Sequence, residues 1–117
     1  MAVKIKSRKP QLLIEDIKKQ IDAGDISTWS YDDEGDFTIT SDKWKNKAWF
    51  TPYTIELEDA IYFGILGRKD INMTIEEFSV FHGSFVEMLL KHCIYDIKSI
   101  EILAPNSNSF DTKHIDY

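Results

Sequence analysis

The stretch from Thr74 to Cys93 narrows the choice of fold more than any other part of the chain. Ile75, Phe78, Phe81, Phe85, Met88, Leu89 and His92 recur at three- and four-residue intervals along it. That spacing predicts an amphipathic helix with one broad apolar face, and Thr74 followed three positions later by Glu77 makes a capping box at its start. A helix with so many rings on one side must lie against an equally apolar surface. Ala60 to Leu66 supplies one: it is apolar on both faces, which predicts a strand near the centre of a sheet.

The remaining elements follow from period and punctuation. Leu13, Ile14, Ile17 and Ile21 share one face of a first helix over about residues 10 to 23, with Gly24 as its stop signal. Trp29 and Tyr31 alternate with polar residues over 28–32, as do Phe37 and Ile39 over 37–40, and Asp33-Glu34-Gly35-Asp36 between them reads as a hairpin turn. Gly35 there takes a positive φ, and the acids hydrogen-bond neighbouring amides. Ser41 to Lys47 is a connection around Trp44. Ala48 to Phe50 and Tyr53 to Leu57 are strand on either side of Pro52, whose missing donor puts it at an edge or a bend. A last strand is expected over 96–103.

This order, α-β-β-β-β-α-β, predicts an α+β fold: one two-layer domain with a mainly antiparallel sheet of four to five strands and both helices packed on one face. Its 117 residues suit a single core. Residues 1–9 are expected to be a flexible basic N-terminus, 10–103 the domain and 104–117 a polar C-terminal tail. No run approaches the roughly 18 apolar residues of a membrane span. The lone Cys93 cannot pair within the chain, and no leader-like stretch opens it; a cytoplasmic setting is the expectation.

Charge is segregated more than the net value of −6 suggests. Lys4, Lys6, Arg8, Lys9, Lys18 and Lys19 dominate the first twenty residues. From Asp22 to Asp42 there are seven acids and no lysine or arginine, and Lys43, Lys45 and Lys47 follow at alternate positions. The acidic segment repels a nucleic-acid backbone and attracts basic protein surfaces.

Motifs that carry chemistry are weak. The acidic turn aligns poorly with a helix-flanked calcium loop, because Ser30 and Ser41 fall where the first and last ligands belong. His82 and Cys93 share a helix face but stand roughly 16 Å apart along it, and His92 and His114 do not join them, so no metal or other cofactor is expected. Gly64-Ile65-Leu66-Gly67-Arg68-Lys69 lacks the spacing of a phosphate-binding loop, and Gly83-Ser84 lacks that of a nucleophile elbow. The pair His82-Gly83 stands out, since a helix-interior glycine is costly. Either Gly83 allows close packing against the sheet, or it leaves room beside His82 for a ligand.

The leading expectation is a small non-enzymatic binding module of inhibitor, immunity-type or adaptor kind. It would meet a basic protein partner with Asp32, Asp33, Glu34 and Asp36 of the hairpin and with the rings of Trp29, Tyr31, Trp44 and Trp49. Two alternatives stand beside it. One is a ligand-binding or enzymatic domain with a pocket between the sheet and the second helix around His82 and Gly83; the other is a homo-oligomeric structural module, a homodimer in its simplest form.

Overall fold

Alternation of apolar and polar side chains builds more sheet than the periodicity alone suggests. The computed structural model describes residues 2–69 and 71–103. In chain order the elements are β1 (Ala2–Lys6), α1 (Pro10–Asp22), β2 (Trp29–Tyr31), β3 (Phe37–Ile39), β4 (Ala48–Ile55), β5 (Ala60–Gly67), α2 (Ile75–His92) and β6 (Ser99–Ile102). Short 3-10 turns occupy Glu56–Glu58 and Ile94–Asp96. The fold is α+β, with one six-stranded sheet in the order β2-β3-β4-β5-β1-β6 and every neighbouring pair antiparallel.

The strand beyond the expected four or five is β1, and it lies inside the segment expected to be a flexible basic terminus. Val3 and Ile5 alternate with Lys4 and Lys6, and the two apolar side chains are fully buried. β1 pairs with β5 on one side and with β6 on the other, with Ile5 opposite both Ile61 and Ile100. A strand bonded on both edges is held far more firmly than a terminus. The expected polar tail 104–117, including His114, lies outside the described residues.

The helices connect strands that are not neighbours. α1 leads from β1, one strand in from one edge of the sheet, to β2 at the opposite edge. α2 leads from β5 to β6, which run in the same direction on either side of β1. Phe85 of α2 is the hub of the core, with ring centroids 4.7 Å from Phe50, 4.8 Å from Phe63, 5.0 Å from Trp29 and 6.3 Å from Phe37. Those four rings come from four strands, so one helical residue ties most of the sheet together. α1 lies on the same side: Lys18 stacks over Tyr31, and Gln20 donates to the Cys93-adjacent carbonyl of His92 at the end of α2.

Local chemistry fixes the starts of both helices. Thr74 Oγ1 accepts from the Glu77 amide at 3.1 Å, and the Glu77 carboxylate accepts from the Thr74 amide at 3.4 Å, which completes the capping box. α1 begins differently, with Pro10 in its first turn, Lys9 at the cap position, no side-chain cap and no acid in the first turn. Pro52 lies two residues past the single β3–β4 rung, Phe37 opposite Phe50, where β4 has lost its β3 neighbour. The missing amide is therefore placed where that side of the ladder has ended.

Candidate functional site

The β2–β3 turn is built largely by Asp32. Its Oδ1 accepts from the amides of Glu34 (3.0 Å) and Asp36 (2.9 Å), and Gly35 takes a φ of +83°. Asp32 is thus occupied in holding its own loop, an Asx-type turn, and Asp33 and Glu34 are the outward-facing acids. Asp36 is buried, with the Thr51 hydroxyl donating to its carboxylate. Burial chiefly pushes that carboxyl up from its ordinary range, with Asp32 adding and Thr51 opposing.

Because β3 and β4 are antiparallel, the β2–β3 turn stands at the same end of the sheet as the β4–β5 turn. That second turn, Glu56-Leu57-Glu58-Asp59, carries three exposed acids and a fully exposed leucine. From the sequence only Glu58-Asp59 is expected to be turn, with Leu57 ending the preceding strand. Among the described residues, no lysine or arginine comes within ion-pair distance of Asp33, Glu34, Glu56 or Asp59, whereas Glu58 meets Lys4 at 3.4 Å.

Next to these turns lies the sheet face that the helices leave open. Phe50 and Phe63 point to the helices, so their neighbours point the other way: Trp49, Thr51 and Tyr53 from β4, Tyr62 and Leu66 from β5, and Lys4 from β1. Trp49 pairs with Leu66 and Tyr53 with Tyr62 across the β4–β5 ladder, and all four are half-buried. Lys4 Nζ sits 5.3 Å from the centre of the Tyr62 ring, and the Tyr62 hydroxyl donates to Glu58. No described element covers this face. The Thr51–Asp36 contact joins it to the acidic turn.

The rings singled out in the sequence are therefore divided. Trp29 is 1% exposed and wedged among Phe50, Phe81 and Phe85, so it belongs to the core and is not available to a partner. Its buried indole N–H has no hydrogen-bond partner among the described residues. Tyr31 faces the helix side, under Lys18, and its hydroxyl donates to Asp22 at 2.8 Å. Trp44 packs against the core edge beneath Lys43, in basic surroundings. Trp49 alone of the three tryptophans belongs to the open face, where Tyr53 and Tyr62 join it. The alternation Trp49-Phe50-Thr51-Pro52-Tyr53 carried the signal, but two adjacent rings left open which of them faces inward.

The pocket expected around His82 is filled. His82 is 2% exposed, its ring stacks 5.5 Å from Phe78 and meets Phe50 edge-on at 4.9 Å, and Nδ1 lies 2.7 Å from the Phe78 carbonyl. It is a packed core histidine. Gly83 faces solvent, and a Cβ added there would have nothing within 4 Å, so it neither brings the helix closer to the sheet nor opens space beside His82. Cys93 is buried between Gln20 and the end of α2, and its thiol is pushed up to about 12, mainly by burial and then by Asp16 and Asp96. Among the described residues no three His, Cys, Asp or Glu side chains converge as a metal site, and no helix is long and apolar enough to cross a membrane.

A concavity of about 600 Å³ lies elsewhere, between the start of α1 and the segment leading into β6. No protein-family model, no curated protein and no solved structure matches the chain.

Proposed function

We propose that the protein is a non-enzymatic binding module of the inhibitor, immunity or adaptor kind that docks a basic protein surface on the open face of its sheet. The observation that carries this reading is the contiguity of two acidic turns with the half-buried rings of Trp49, Tyr53 and Tyr62 on a face that no described element covers. Acids at the margin speed the encounter with a basic partner, and tyrosine and tryptophan rings bury area at small entropic cost. Leu57, protruding between Glu56 and Glu58, adds an apolar anchor at the acidic end.

The test is retention of a partner from a native extract of the source cells on the immobilised protein. Wild type should hold a basic protein at low salt and release it as ionic strength rises past the point where the Debye length falls to about 8 Å. Trp49→Ala with Tyr53→Ala should weaken the complex at least about 30-fold, the effect of losing roughly 2 kcal/mol of anchoring. A partner held equally by this variant and wild type would place the interface off the open face.

A further inference from the structure

The cavity beside α1 has an electrostatic character opposite to that of the acidic turns. Arg8 and Lys9 at one side and Lys98 at the other stand at its mouth, all exposed. None of the three has a carboxylate within ion-pair distance among the described residues. Asp16 and Asp96 also line the cavity, which leaves a small positive excess along its walls, and Asp16 is engaged by Gln20 Nε2 at 3.0 Å. The walls include two large apolar side chains left open to solvent, Leu12 at 53% and Tyr95 at 99%. Three cations outside ion-pair distance of any described carboxylate, next to two solvent-facing apolar side chains in one concavity, offer an anion with an apolar body both kinds of contact.

The backbone reinforces the sign. α1 starts in this cavity with Lys9 at its cap position and no acid in its first turn. Its first amides therefore lack the side-chain acceptor that usually satisfies them, and the helix end adds a partial positive charge. The buried Ser7 shapes the floor; its Oγ accepts weakly from the Lys9 amide at 3.4 Å, and its own amide is bonded to the Asp59 carbonyl.

We propose that this cavity binds a small organic anion, its carboxylate or phosphate met by Arg8, Lys9 and Lys98 and its apolar body laid against Leu12 and Tyr95. The site lies between α1 and the segment leading into β6, with Ser7 joining it to Asp59 of the second acidic turn, and the proposal rests on this cavity and not on the docking reading.

Amide chemical shifts of the full chain, titrated with phenyl phosphate, phenylacetate, inorganic phosphate and benzyl alcohol, test it. Either aryl anion should shift the amides of Gln11, Leu12 and Tyr95 saturably, with a dissociation constant of roughly a millimolar or below. Whichever of the two binds more tightly identifies the headgroup. Arg8→Glu with Lys98→Glu should weaken that binding at least about tenfold while the amides of α2 keep their positions, showing that the fold is intact. Non-saturating shifts, affinity for inorganic phosphate equal to that for the aryl anions, equal binding of benzyl alcohol, or binding unchanged in the double variant would each overturn the proposal.

Discussion

Replacing Gly83 by alanine should make the protein more stable, by about 1 kcal/mol. Gly83 lies in the middle of the 18-residue α2, on its solvent side, with no heavy atom within 4 Å of where a Cβ would stand. Alanine therefore meets no clash and gains the helix propensity and reduced chain entropy that glycine forgoes, about 0.8 to 1.0 kcal/mol. A 117-residue domain unfolds with an entropy near 0.25 kcal/mol/K, so Tm should rise by about 4 °C. Thermal melts followed by circular dichroism, with urea titrations to check that the m-value is unchanged, measure this directly. Gly35→Ala is the contrasting control. At a φ of +83° a Cβ is strained, and that variant should lose about 1 to 2 kcal/mol. A lowered Tm in Gly83→Ala would refute the placement of this helix face towards solvent, and with it the conclusion that the glycine serves neither packing nor a pocket beside His82.

Three further outcomes follow from the core and its ionisable groups. Phe85→Ala removes the ring that touches Trp29, Phe37, Phe50 and Phe63, and should cost about 3 to 5 kcal/mol in equilibrium unfolding; a loss below about 1 kcal/mol would contradict its place as hub. Asp36 has a raised pKa in the folded state, so the native protein holds that proton more tightly than the unfolded chain does. Its ionised form therefore costs stability at neutral pH, and the cost fades as pH falls through the folded value. Asp36→Asn should accordingly show its most favourable difference from wild type near neutral pH and lose that difference in acid, whereas a pH-independent difference in unfolding free energy would contradict the assignment. With its thiol pushed up to about 12, Cys93 exposes only about one thiolate in 10,000 at pH 8, against roughly a quarter for an ordinary thiol. Iodoacetamide labelling followed by mass spectrometry should be slow in the native state and fast in denaturant; rapid native labelling would show that the site is open.

The periodic parts of the fold were legible in the sequence, and the ambiguous parts were those where two patterns competed. α2 and its capping box follow directly from Thr74, Glu77 and the spacing of Phe78, Phe81 and Phe85, and the β2–β3 turn follows from Gly35 and its acids. β1 was hidden because Lys4, Lys6, Arg8 and Lys9 read as a charged terminus, although Val3 and Ile5 alternate with the lysines as a half-buried strand requires. The site was less legible because whether a ring is inside depends on strand partners. Trp29 and Trp49 both sit in alternating segments, yet one meets Phe85 and the other faces outward. The turn at Glu58-Asp59 was legible, but its place in the site was not, because its acids acquire their setting only when antiparallel pairing brings it to the end of the sheet that also carries Asp33 and Glu34.

The docking proposal is tested most directly by moving the same charge change between faces. Asp33→Lys with Glu34→Lys reverses the outward acids of the turn and leaves Asp32, which builds it, untouched. Glu76→Lys with Glu87→Lys makes an identical change of net charge on the exposed side of α2. With the partner retained by wild type at low salt, the turn variant should lose affinity at least about tenfold, mainly through slower association, while the α2 variant stays close to wild type. Equal loss in both, or loss in the α2 variant alone, would contradict docking at the acidic turns and the open sheet face.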